Sequence, residues 1–153
     1  MTMTLQDRFQ EDLKESMRNK DSTRLSVIRY LRSQIHNLEI ERQTDLDDHS
    51  IIQLLNKQAK QRKDIIDAFQ KGNRQDLVDK EKAELEIIYE YLPKQLTQNE
   101  LIEIAKNSIE LLKAKGPEDM GKVMGHVMGQ TKGMAQGGEV SQIVKDLLLA
   151  SPE

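Results

Sequence analysis

The chain has 153 residues, enough for one ordinary domain or two small helical ones. Hydrophobic residues make up 37% and charged residues 32%, with 3% aromatic, no tryptophan and no cysteine, which excludes disulfide frameworks, thiolate zinc sites, iron–sulfur clusters and cysteine nucleophiles. A formal net charge of −3 argues against wholesale electrostatic attraction to nucleic acid or anionic membrane but allows a local basic patch.

From the N-terminus, Met1 to Leu5 followed by Gln6, Asp7 and Arg8 lacks the apolar core of a signal peptide. No later run approaches the ~20 apolar residues that span a bilayer, so a soluble, cytoplasmic protein without a membrane role is expected. The first helix is predicted over about Leu5 to Arg18, with Leu5, Phe9, Leu13 and Met17 on one stripe. Asp21 and Ser22 offer a cap for a second helix to about Glu41, whose stripe is Leu25, Ile28, Leu31, Ile35 and Leu38. So short a connection requires the two to fold back as an antiparallel pair. Beyond a polar link, Gln43 to Ser50, a third helix covers about Ile51 to Lys71, with Ile52, Leu55, Ala59, Ile66 and Phe69 inward. Gly72 is expected to supply the left-handed backbone that ends it, and Asn73 to cap a fourth helix. That helix runs to Tyr91 and stops at Leu92-Pro93, because proline restricts the residue before it.

After Pro93 the composition changes. Thr97-Gln98-Asn99-Glu100 is a capping box opening a fifth helix to about Lys115. Gly116-Pro117 ends it and starts a sixth, to about Lys132, and a glycine-containing loop precedes a last helix from about Glu139 to Leu149. The predicted class is all-α: N-terminal helical hairpins over residues 1–95, then a small three-helix domain over 96–153.

Two features ask for a physical account. Arg62 lies on the inner stripe of the third helix, and a hairpin about Gly72-Asn73 sets it opposite Glu81 and Glu84. A catalytic arginine with two acids is conceivable, but a structural ion pair that fixes register is preferred, since an unpaired buried charge is costly. The second feature is the run from Met120 to Gly133, with glycines at 121, 125, 129 and 133, a further one at 137, and methionines at 120, 124 and 128. Each interior glycine costs about 0.8–1.0 kcal/mol of helix propensity relative to alanine, so the stripe needs an offsetting gain. Close approach of another helix is the favoured one, close approach of a ligand backbone such as sugar–phosphate the other. The methionines are expected to fill core gaps. His36, His49 and His126 stand apart in sequence and are read as solvated or capping imidazoles, with no metal and no cofactor expected. No phosphate loop, nucleophile elbow or zinc-protease helix is present, so no catalytic residue is assigned.

The stretches Leu25-Ser-Val-Ile-Arg29, Lys60-Gln-Arg-Lys-Asp64, Gly72-Asn-Arg74, Tyr91-Leu-Pro-Lys-Gln95 and, above all, Asp119-Met-Gly-Lys-Val-Met-Gly125 resemble the YqeY family over nearly the whole chain. That family is related to the tail domain of GatB, the B subunit of the tRNA-dependent amidotransferase. The resemblance implies a two-part all-helical fold with a GatB/YqeY-type C-terminal unit and a stand-alone tRNA-binding accessory module linked to glutamine-dependent tRNA amidation. Any label of carbon–nitrogen ligase activity with glutamine as amide donor would be inherited from the larger assembly, because the tail pattern holds no residues for that chemistry. Carried over by position, Gly121, Lys122, Gly125, Lys132 and Gly133 are expected near RNA. Gly133-Met-Ala-Gln-Gly137 departs from the family's Gly-Arg-Ala-Asp-Gly and so lacks one cation and one anion. The alternative is a helical protein–protein adaptor in which the Gly/Met surface docks a partner's helix.

Overall fold

The computed structural model describes residues 3–150, and among these the chain is all-α, with no strand. It divides into two compact units, one ending at Pro93 and one beginning at Lys94.

The first unit holds α1 (Leu5–Arg18), α2 (Ser22–Arg42), α3 (Asp48–Lys71) and α4 (Gln75–Tyr91). α1 opens on a capping box in which Thr4 and Asp7 bond each other's backbone N–H groups. Asp21 caps α2 by accepting from Arg24 N at 3.1 Å. α3 begins three residues before the predicted Ile51, because Asp47 accepts from Ser50 N at 2.9 Å and draws the polar link into the helix. The left-handed residue after α3 is Asn73 (φ 57°), not Gly72 (φ −87°), and Arg74, with no side-chain cap, precedes α4. Asparagine tolerates this conformation better than most residues, so the turn moves one position on. Leu92 is extended (φ −91°, ψ 152°) before Pro93, as the proline's steric demand requires.

α1 packs on α2, α3 on α4, and α2 on α4. Their apolar stripes meet in one core that includes Phe9, Val27, Ile28, Leu31, Ile51, Leu55, Ala59, Val78 and Ile88. Met17 was expected inside but is 54% exposed, and Ser16 is buried in the last turn instead, its hydroxyl donating to the Asp12 carbonyl. Two polar knots tie the helices. Arg62 Nη1 donates to Glu81 at 3.0 Å and to Glu84, and its guanidinium lies 5.6 Å from the Tyr30 ring centre. Tyr91 packs on Phe9 with ring centres 4.5 Å apart, donates its hydroxyl to Asp12, and lies beneath the Arg8 guanidinium at 4.8 Å. Burial, together with the Asp12 carboxylate, raises the Tyr91 phenol well above its ordinary value. Beside it, the bond from Arg24 holds the Glu90 carboxyl below the usual range.

The second unit holds α5 (Gln98–Leu112), a 3-10 turn (Pro117–Asp119), α6 (Met120–Gln130) and α7 (Gly137–Ala150). Thr97 and Glu100 form the capping box of α5, with Glu100 N bonded to the Thr97 hydroxyl at 3.2 Å. α5 ends at Lys113 in left-handed backbone (φ 54°), three residues before Gly116. α5, α6 and α7 pack on one another around Leu101, Ala105, Val123, Val127, Val140, Val144 and Leu148. This core is wholly aliphatic, and the unit holds no ion pair among the described residues.

Candidate nucleic-acid interface

α6 buries one narrow stripe. Val123 and Val127 are fully enclosed, and Met120 and Met124 are half-buried against the same core. Beside them on α6, Ser108 of α5 places its hydroxyl 2.7 Å from Nδ1 of His126, fixing the imidazole that was expected to be merely solvated or capping. Ser108 is itself buried. The two positions are 18 residues apart and polar, so helical spacing held no signal for their meeting.

The remaining face is bare. Gly121, Gly125 and Gly129 are exposed, and a Cβ built on any of them would meet no atom within 4 Å beyond its own stretch of helix backbone. The favoured expectation, that the glycines admit another helix, is therefore corrected. The valine stripe makes the helix contacts, and the glycines look out. The glycine series is also shorter than expected, because α6 ends at Gln130. Gly133 then sits in a turn at φ 71°, a conformation that favours glycine. Gly137 begins α7 two residues earlier than expected. Met128, 37% exposed, borders the stripe rather than filling the core.

Lys122 and Lys132 are both exposed, but they do not converge. The helix from Lys122 to its end at Gln130 rises about 12 Å, and Lys132 lies in the turn beyond that end. The loop bearing Lys132 is pinned at its base: Gln95 Nε2 donates to the Gly133 carbonyl at 2.9 Å, and Leu96 N to the Met134 carbonyl at 2.8 Å. At the other end, Asp119 accepts from Lys115 N at 2.8 Å and, with Glu118, brings negative charge beside Gly121 and Lys122. From Lys94 onward the chain has no arginine, phenylalanine, tyrosine or tryptophan. The surface is thus a strip of open backbone with a cation near each end, suited to shape-dependent contact with a polyanion and not to bidentate phosphate clamping or base stacking. Arg62, Glu81 and Glu84, the other predicted group, meet in the first unit as described. Among the described residues, no cluster of three potential metal ligands occurs and no helix is long and apolar enough to cross a membrane.

Comparison with known proteins places these features. Three relatives all carry the name Altered inheritance of mitochondria protein 41, mitochondrial. The one from Pyrenophora tritici-repentis is 33% identical over 144 residues, covering 92% of this chain and 79% of its own. That from Lachancea thermotolerans is 47% identical over 85 residues, 55% of this chain and 46% of its own. That from Saccharomyces cerevisiae strain YJM789 is 38% identical over 104 residues, 67% of this chain and 56% of its own. The match thus spans about half the length of the latter two. The expectation of a cytoplasmic location is overturned by these mitochondrial names. Its physical weakness is plain: a water-compatible helical body fits any aqueous compartment, and the address is read by other machinery. The family described as Yqey-like protein matches residues 6–148, and the chain belongs to that family.

Proposed function

We propose that the chain is a tRNA-binding accessory module linked to glutamine-dependent tRNA amidation, and that it meets RNA along the exposed glycine strip of α6. The observation that carries this reading is the open space over Gly121, Gly125 and Gly129. Three glycines in one short helix sacrifice helix propensity, and packing inside the unit does not offset it. Close approach of a sugar–phosphate backbone does. Lys122 and Lys132 supply charge at the two ends, and Gly133 permits the turn that presents Lys132. Arg62, Glu81 and Glu84 serve as a structural ion pair that holds α3 and α4 in register. The chemistry asks only for an aqueous compartment that holds RNA, which the mitochondrial setting of the named relatives supplies.

With only two cations on the strip, binding is weak and salt-sensitive. Each phosphate contact contributes a slope of about −0.7 to −0.9 in log affinity against log salt. A gel shift of the full chain with total tRNA at low salt tests the reading. A shift that Lys122→Glu plus Lys132→Glu weakens, with the salt slope reduced by about 1.5, is expected. No shift, or one indifferent to both substitutions, contradicts it. The exposure of Met128 beside the glycines favours a second reading, a protein adaptor whose Gly/Met strip receives a partner's helix. That reading predicts no tRNA shift and loss of a protein complex on Met128→Glu.

A further inference from the structure

The open face of α6 is bordered by one side chain that the glycines and lysines leave unexplained. His126 follows Gly125 and stands one turn from Lys122 and from Gly129. Its Nδ1 lies 2.7 Å from the Ser108 hydroxyl of α5. Ser108 is 1% exposed and makes no other hydrogen bond among the described residues. The buried hydroxyls of Ser16 and Thr131 differ: each donates to the carbonyl one turn back, that of Asp12 or of Val127. Ser108 has no such acceptor, so its hydrogen goes to Nδ1. Were Nδ1 protonated and donating instead, a buried O–H would be left without a partner. Neutral His126 is thereby held as the tautomer with its proton on Nε2. That nitrogen has no partner among the described residues and is not one of the enclosed polar atoms, so it turns an N–H to solvent.

We propose, on the footing of the RNA reading above, that His126 donates this N–H to a phosphate oxygen of RNA lying along α6, and that Ser108 fixes the tautomer and aims the ring. A phosphodiester backbone offers acceptors almost alone, and a donor of fixed direction suits it. The contact is of a different kind from those of the lysines. Lys122 displaces a counterion when it meets a phosphate and so sets the salt dependence, whereas a neutral donor strengthens binding without changing the slope. Ser108 belongs to the buried face of α5, so the ring is held from the core side while its outer edge stays free for the ligand.

The test uses the full chain and labelled total tRNA, at a pH where the ring-nitrogen NMR signals show His126 neutral. In the free parent those signals should report a single tautomer, protonated on Nε2, and in Ser108→Ala a mixture. His126→Asn retains an acceptor for Ser108 but no outward donor, whereas His126→Gln reaches outward with an amide N–H. His126→Asn should melt with the parent and bind tRNA about tenfold more weakly, and His126→Gln should bind within about twofold of the parent. The salt slope should stay unchanged in both. Should His126→Asn not fold, Ser108→Ala carries the comparison, with about threefold weaker binding at the same slope. The proposal is overturned, with the RNA reading intact, if the parent binds tRNA and His126→Asn binds equally well, if His126→Gln rescues nothing, if the slope of His126→Asn falls as that of Lys122→Glu does, or if the free imidazole carries its proton on Nδ1. A parent that binds no tRNA overturns the RNA reading, and this contact with it, whatever the tautomer.

Discussion

The two units use polar residues in opposite ways. In the first, Arg62 is paired with Glu81 and Glu84, Arg24 with Glu90, and Tyr91 with Asp12. In the second, the core is aliphatic, and the glycines and lysines of α6 are left outside. The contrast teaches that a charged side chain on a helical stripe and a glycine on a helical stripe are different kinds of signal. The charge has to be neutralised by the fold itself, whereas the glycine earns its place only through something that comes close, which need not belong to the chain.

The comparison breaks first at Arg62. Arg62→Ala leaves two carboxylates, 17% and 13% exposed, facing each other between α3 and α4. It should cost about 3 kcal/mol in urea unfolding, while replacing all three residues by apolar ones of similar size should be nearly neutral. A loss below about 0.5 kcal/mol for the single change would mean that the knot is a solvated surface contact.

A smaller effect is expected at Tyr91. Tyr91→Phe keeps the stacking on Phe9 but removes the bond to Asp12, at a cost of about 1.5 kcal/mol near neutral pH. The phenol's folded value is raised, so its contribution is complete below the unfolded value of about 10 and declines as pH rises beyond it. The parent should therefore lose stability above about pH 10 more steeply than Tyr91→Phe does. Equal alkaline limbs in the two proteins would refute the buried phenol.

The smallest change has the opposite sign. Gly125 lies mid-helix with open space where a Cβ would go, so Gly125→Ala should stabilise the second unit by about 0.5–1 kcal/mol. Destabilisation there would show the glycine to be packed, and the contrast between the units would fail.

Much of the fold was legible because it is local. The Thr97–Glu100 box, the stop at Leu92-Pro93 and the stripes of α1 and α2 depend on neighbours within a turn. The misplaced features depend on more. The step from Gly72 to Asn73 turns on which residue bears the left-handed backbone, and the early start of α3 on whether Asp47 caps or merely links. At the candidate site, spacing revealed that Gly121, Gly125 and Gly129 share a face but not whether anything covers it. The Ser108–His126 and Asp12–Tyr91 pairs join residues 18 and 79 apart, beyond what helical spacing can signal.

The open glycine strip is tested most directly by measuring two quantities on one variant, Gly121→Ala/Gly125→Ala/Gly129→Ala: its melting temperature, and its affinity for labelled total tRNA at low salt. Three methyl groups on an uncovered helix face should raise the first while holding a sugar–phosphate backbone away and lowering the second by about tenfold or more. A variant that melts higher and binds tRNA as well as the parent, or a parent that binds none, would contradict the assignment of this face to RNA.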